Sequence, residues 1–256
     1  MQRIDALAGR IPSARRMART MSSADVYALA LERGQALARL GVTVDFAPVV
    51  DISDQPDGDV IGDRAFGSEP GVVVEYAGAF ARGLRDGGVV PVLKHFPGHG
   101  RAVGDSHEAT AVTPALDALR ASDLVPYEAL ASDDPVGVMV GHLTVPGLTA
   151  PGEPTSVSPA AIALLRTELG YDGFVVTDDL SGMVAITGLF DTREAAVRAL
   201  AAGVDMALLV GGAHEVPEVL AALGDAVGAG RLDEEAVNAS VRRVLAVKGI
   251  EPCEPM

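Results

Sequence analysis

The stretch VVPVLKHFPGHGRAVGDSH, residues 89–107, decides how this chain is read. It opens on a short apolar run, Val89 to Leu93, with the length and composition of a buried strand. Lys94 and His95 end that run. Pro97, Gly98, Gly100 and Gly104 then impose a loop, because Gly and Pro break both regular periods. Three of the five histidines, His95, His99 and His107, fall inside this stretch, and Asp105 stands two residues before His107. Titratable groups just past the C-terminal end of a buried strand are where α/β enzymes keep their chemistry.

Working outward, the same alternation repeats. Before the stretch, apolar residues at helical spacing (Val26, Leu29, Ala30, Leu37, Leu40) predict a helix over 23–40. It is capped by Ser22 or Ser23 and closed by Gly41. A strand is predicted over 42–50, ending at Asp51, and a helix over 71–86, while residues 1–21 read as irregular. Beyond it come a long loop over 95–113 and a helical region over 116–130 with a break near Asp123. A strand over 136–140 follows, ending at Gly141 and His142. Ser158-Pro159 starts the next helix. A strand over 174–176 then leads into Thr177-Asp178-Asp179. Asp191 or Thr192 caps a helix closed by Gly203, and a strand over 204–210 ends at Gly211-Gly212. Helices over 215–228 and 233–248 complete the chain. Strand and helix thus alternate five times, and the strands are apolar runs, as when a parallel sheet is covered on both faces. The pattern predicts α/β architecture built from (β/α) units, a barrel or an open sheet. Neither G-x-G-x-x-G after a strand nor G-x-x-x-x-G-K-[ST] occurs, so a nucleotide-binding open sheet has little support.

Composition excludes several classes. A formal charge of −15, from 20 basic and 35 acidic residues, argues against nucleic acid as partner. Cys253 is the single cysteine, which rules out an internal disulfide or a cysteine metal cluster. No apolar run approaches the ~18 residues of a membrane span. Residues 1–20 are basic but have no apolar core, so they do not read as a signal peptide.

In a parallel barrel the strand ends converge on one face. Here they offer Asp51, Lys94 with His95, His142, Asp178 with Asp179, and Gly211-Gly212. Asp178 and Asp179 are neighbours in an extended segment and point opposite ways, so only one aims at a common centre. The alternative role of an aspartate there is to cap the following loop. Asp105 two residues from His107 can orient the ring and raise its basicity, making a general acid/base dyad, or it can close a turn through the backbone. His95, His99 and His107 are also compatible with metal ligation, although Pro97-Gly98 forbids the helix that an i, i+4 histidine pair suits.

These residues carry a resemblance. KHFPGHG (94–100), GDSH (104–107) and GFVVTDDLSGM (173–183) resemble glycoside hydrolase family 3, and look like its single-domain β-N-acetylglucosaminidases. FAPVVD (46–51), IGDRAFG (61–67), VMVGH (138–142) and AGVDMALL (202–209) match in the same order, so nearly the whole chain is covered. The resemblance implies a TIM-type (β/α) barrel over a single domain, 1–256. It also implies a retaining exo-glycosidase that releases terminal β-linked N-acetylglucosamine from cell-wall fragments. In that pattern Asp178 matches the nucleophile and His107, paired with Asp105, the acid/base. Lys94, His95 and Arg64 match sugar-binding residues, and Arg3 matches a further arginine of a V-Q-R-like segment. No metal or organic cofactor is implied, and the partner is a carbohydrate or muropeptide.

Family members carry a D-Q-E-G-G-x-V-Q-R segment and earlier barrel strands, whereas this chain opens at Met1-Gln2-Arg3. The expectation is a barrel without its first strands. The strand over 42–50 then becomes a sheet edge through which the chain self-associates. Localisation is left open. Two other activities fit the motifs: a phosphorylase, because a histidine acid/base does not repel phosphate, and a sugar-binding protein without turnover.

Overall fold

The predicted alternation is present in the structure, a computed structural model in which residues 9–107, 109–132, 135–211 and 214–251 are described. Arg3, Gly212 and Cys253, named above, lie outside the described residues. Seven strands occur among the described residues: β1 (Val44–Asp45), β2 (Val90–Phe96), β3 (Ala111–Val112), β4 (Gly137–Val140), β5 (Leu143–Thr144), β6 (Val175–Asp179) and β7 (Met206–Leu208). Five of them follow the order β1-β2-β4-β6-β7, and β3 with β5 forms a small separate pair. The pairings β1–β2, β3–β5 and β6–β7 are all parallel, and helices separate the strands of the larger sheet. The fold class is α/β, with the strand–helix order of a TIM-type (β/α) barrel.

The chain divides into two compact units: Met1–Arg101 with Asp117–Val138, and Ala102–Leu116 with Met139–Met256. In the first, helices Ser23–Arg39 and Pro70–Asp86 pack on each other. Ser22 caps the earlier one in a capping box with Asp25. Both helices are amphipathic, and Val26, Ala30 and Leu37 of the first and Val73, Ala77 and Leu84 of the second are buried. Strand β2 is buried along most of its length. In the second unit, Asp191 caps helix Thr192–Ala202 through the Glu194 N–H, and Gly203, at φ 105°, closes it. Behind β6, buried Asp205 accepts from the Val175 N–H at 2.8 Å and from Arg166 and Arg243 at 2.7 and 3.0 Å. A buried carboxylate with three donors and two cations is satisfied, and it fixes the start of the strand.

Four expectations change. The strand over 42–50 shrinks to a ladder at Val44–Asp45, with one further bridge between Val49 and Lys94. The Ala47 N–H turns back to the Asp45 carbonyl at 2.8 Å, and Pro48 has no N–H to give, so the ladder is interrupted between them. The strand over 204–210 is regular only at Met206–Leu208. The loop over 95–113 is shorter than expected, because β2 runs to Phe96 and β3 takes Ala111–Val112. Finally, residues 14–20 form a helix although residues 1–21 read as irregular. Its anchor is tertiary. Buried Arg15 donates to the Gln55 and Gly62 carbonyls at 2.6 and 2.7 Å and to Asp57 at 2.8 Å, and Met17 is buried beside it. The break expected near Asp123 is real: helices Leu116–Arg120 and Val125–Leu130 flank it, and Pro126 starts the second.

Candidate active site

In the first unit the candidates gather around Asp51, at the end of the segment that follows β1. Its carboxylate is 1% exposed. Oδ1 accepts from the backbone N–H of His99 at 2.7 Å and of His95 at 3.2 Å, and Oδ2 lies 2.7 Å from the His95 Nδ1. Burial pushes this carboxyl up, but the His95 ring and the hydrogen bonds from His95 and His99 outweigh it and hold Asp51 below its ordinary value. An ionised carboxylate only accepts, so His95 Nδ1 carries the hydrogen. Lys94 and His95 are consecutive residues of β2; Lys94 is half-buried and His95 is buried. Arg64 ends a short 3₁₀ turn, Gly62–Arg64, and its guanidinium donates to the Val60 carbonyl of its own loop.

The P-G-H-G turn after β2 is wedged between two other segments. A Cβ on Gly98 would meet the Asp123 Cβ at 2.6 Å, and one on Gly100 would meet the Ile52 carbonyl oxygen at 2.1 Å. Only glycine lets the backbone approach so closely, and Gly98, at φ 132°, also needs its freedom. Arg101 closes the turn by donating from Nε to buried Asp123 at 3.0 Å and to the Ala118 carbonyl at 2.9 Å. Burial pushes the Asp123 carboxyl up against the pull of Arg101. The Tyr127 hydroxyl is pushed well above its ordinary value, by burial first and then by the charges of Asp51 and Asp123.

In the second unit, Asp105 and His107 come together within one turn. Asp105 Oδ1 accepts the His107 backbone N–H at 2.9 Å and lies 2.8 Å from its Nδ1. Both sequence readings of this aspartate therefore hold at once: it closes a turn and it orients the ring. The His107 side chain is 62% exposed, so Nε2 faces outward. Ser106 between them is buried, and its carbonyl accepts the Ala185 N–H at 3.1 Å, tying the loop to the segment after β6.

The end of β6 separates the two neighbouring aspartates. Asp179 Oδ1 accepts from the Ser181 N–H at 2.9 Å, the Ser181 hydroxyl at 2.6 Å and the Val210 N–H at 2.9 Å. That carboxylate is committed to holding the loop. Asp178 accepts from the Asp179 N–H at 2.9 Å through Oδ1 and is half-buried. Chemically, Asp178 is a half-buried carboxylate held by a backbone N–H, and the dyad is an oriented imidazole. Among the described residues no group of three His, Cys, Asp or Glu side chains is placed to hold a metal ion, and no helix is long and apolar enough to cross a membrane.

Residues 1–247 match the family model described as the glycosyl hydrolase family 3 N terminal domain. The chain belongs to glycoside hydrolase family 3. As a family 3 domain it is 55% identical over 251 residues to beta-hexosaminidase LpqI of Mycobacterium tuberculosis, matching 96% of this chain and 64% of that protein. It therefore spans less than two thirds of that relative's length. A solved family 3 hydrolase of Mycobacterium smegmatis superposes with a TM-score of 0.95 at 54% identity, covering 98% of this chain and 79% of the other. A family 3 β-N-acetylglucosaminidase from Paenibacillus superposes with a TM-score of 0.86 at 34% identity, over 95% and 47% of the two chains.

Two residues of this family 3 domain are more deeply involved than the sequence reading assigned. Asp51 and His142 were visible only as polar residues at strand ends. The available signal was position, and nothing in the sequence says that Asp51 collects three donors from a turn more than forty residues away.

Proposed function

We propose that this chain is a single catalytic domain, residues 1–256, of a retaining exo-β-N-acetylglucosaminidase acting on terminal residues of peptidoglycan fragments. The observation that supports the reading is the arrangement at the end of β6: Asp179 Oδ1 holds the following loop through three donors, and Asp178, half-buried beside it, accepts the Asp179 N–H. An Asp178 oxygen attacks the anomeric carbon as the bond to the aglycone oxygen breaks, giving a glycosyl ester. His107, oriented by Asp105, hands its proton to the departing oxygen. It then removes a proton from the water that attacks the same carbon and releases Asp178. A histidine thus does what a second carboxyl does in most glycosidases. Lys94, His95, Arg64 and Arg3 bind the sugar hydroxyls in this reading. The Paenibacillus relative, a β-N-acetylglucosaminidase, and the mycobacterial one, a beta-hexosaminidase, support the substrate class.

The test is stereochemical. Proton NMR of the first product from an aryl β-N-acetylglucosaminide should show the β-anomer before mutarotation. The α-anomer as first product would refute a glycosyl-enzyme at Asp178. N-acetylglucosamine 1-phosphate formed in phosphate buffer would make the enzyme a phosphorylase instead.

The reading also includes self-association through β1. Support comes from its place at the end of the strand order and from its half-buried residues, against the fully buried β4. Size-exclusion chromatography with light scattering should find a dimer or larger, and a monomer at all concentrations would remove this part.

A further inference from the structure

We propose that His142, with its tautomer set by the Asp179 carbonyl and its ring anchored by Ser156, is the positioning residue that fixes the Asp178 carboxylate. This rests on the reading of Asp178 as nucleophile. His142 follows β4 and its ring is 1% exposed. Nε2 lies 3.0 Å from the Asp179 carbonyl oxygen, and Nδ1 lies 2.7 Å from the Ser156 hydroxyl. A carbonyl only accepts, so Nε2 carries the hydrogen. In the neutral ring Nδ1 then accepts the Ser156 O–H. One tautomer satisfies both ends, and the opposite tautomer leaves a lone pair facing a carbonyl.

The ring is built in from behind. Ser156 belongs to the buried 3₁₀ turn Thr155–Val157. In the same turn the Thr155 hydroxyl donates to the Gly141 carbonyl at 2.7 Å and accepts the Leu143 N–H at 3.2 Å. It therefore brackets the His142 backbone on both sides. These are four polar contacts made by two consecutive buried side chains and one buried ring.

The far end is where the chemistry sits. The peptide joining Asp179 to Leu180 is held at both poles: its carbonyl by His142, and its N–H by the Leu208 carbonyl at 2.9 Å. The Asp179 carboxylate is pinned to Ser181 and Val210. Asp179 is thus held through its side chain and through the peptide that follows it, and its N–H, in the peptide before it, donates to Asp178 Oδ1. The chain of cause runs from Ser156, which anchors the ring, through the His142 Nε2–H to the Asp179 carbonyl, and from there to the nucleophile's orientation. His142 itself does not reach the reacting atoms in this scheme. It removes freedom from the group that does, and orientation of a nucleophile is worth orders of magnitude in rate.

The experiment compares His142→Phe, which keeps the ring volume without a donor, with His142→Gln, whose side-chain amide can donate to the same carbonyl. On an aryl β-N-acetylglucosaminide, His142→Phe should lower kcat about 30- to 100-fold with KM changed by less than about threefold. His142→Gln should recover to within about tenfold of the parent. Equal losses in the two variants, or a loss confined to KM, would overturn the proposal.

A second measurement does not need turnover. In ¹⁵N-histidine spectra of the full chain His142 should be the neutral Nε2–H tautomer, and an Nδ1–H tautomer would overturn the proposal. The ¹³C carboxyl titration of Asp178 should move in His142→Phe and stay in place in His142→Gln. No movement in either variant would overturn it too. If the parent chain hydrolyses nothing, the functional reading fails, while the tautomer and the Asp178 titration still decide the positioning claim.

Discussion

Replacing Asp51 by asparagine changes one atom and should invert a histidine. In the parent, two backbone donors converge on Oδ1 while Oδ2 receives the His95 Nδ1–H. Asparagine has one oxygen and one NH₂ to distribute over these places. Turned with the oxygen toward the two N–H groups, it keeps two hydrogen bonds and points NH₂ at Nδ1. Turned the other way, it sets NH₂ against two donors. Two contacts outweigh one, so the first orientation wins, and His95 must move its hydrogen to Nε2 to accept from the amide. The substitution should cost about 1–3 kcal/mol, since a charge-assisted contact becomes neutral and one tautomer is imposed. Asp51→Ala leaves three donors in a buried place and should cost more, about 3–5 kcal/mol. Urea unfolding at pH 7 measures both. The pH dependence has a definite sign. The folded carboxyl is held below its ordinary value, so its contribution is complete above the unfolded value of about 3.9. It is lost as pH falls through the lower folded value. The gap between parent and Asp51→Asn should therefore close in acid, as the pH falls through the folded Asp51 value. An Asp51→Ala variant within about 1 kcal/mol of the parent would refute the reasoning, because three unpaired buried donors cannot be that cheap.

Asp178→Ala should abolish turnover with a melting temperature within a few degrees of the parent, and azide should restore turnover by replacing the carboxylate. Asp179→Ala, losing three hydrogen bonds, should instead unfold about 2–4 kcal/mol more easily; calorimetry of the pair reverses the expectation if the roles are exchanged. His107→Ala should slow substrates with poor leaving groups about 10²- to 10⁴-fold and barely affect a dinitrophenyl leaving group, with Asp105→Asn milder; equal losses on both substrates would remove the general-acid role. Gly98→Ala puts a methyl 2.6 Å from the Asp123 Cβ at a φ of 132°, and should destabilise by about 2 kcal/mol or more in urea unfolding.

Much of this molecule is legible because its strands are buried. Runs such as Val89 to Leu93 and Val136 to Val140 carry their own evidence, since nothing but a covered parallel strand wants so many apolar residues between glycine and polar ends. Failures of the reading fall where the backbone is decided by something other than burial. The interruption after Val44–Asp45 depends on Ala47 spending its N–H on Asp45, a choice invisible in the apolar pattern of 42–50. Helix Ala14–Thr20 has no apolar stripe to announce it, and it is anchored by Arg15 reaching residues more than thirty-five positions away.

The site divides along the same line. Residue type and position at a strand end are local, so Asp178, His107 and His95 stand out in the sequence as candidates. The difference in hydrogen bonding between Asp178 and Asp179 is not local. It turns on Ser181 and Val210, which take one carboxylate out of play, and on His142, which reaches across from β4 to the Asp179 carbonyl. Likewise the His95 hydrogen is assigned by Asp51, forty-four residues earlier. In both cases a buried partner distant in sequence sets the hydrogen bonding of the candidate group. Substituting these partners should therefore alter chemistry through orientation and tautomer before it alters the fold, and that separates them from the apolar core, where a lost methyl group changes stability alone.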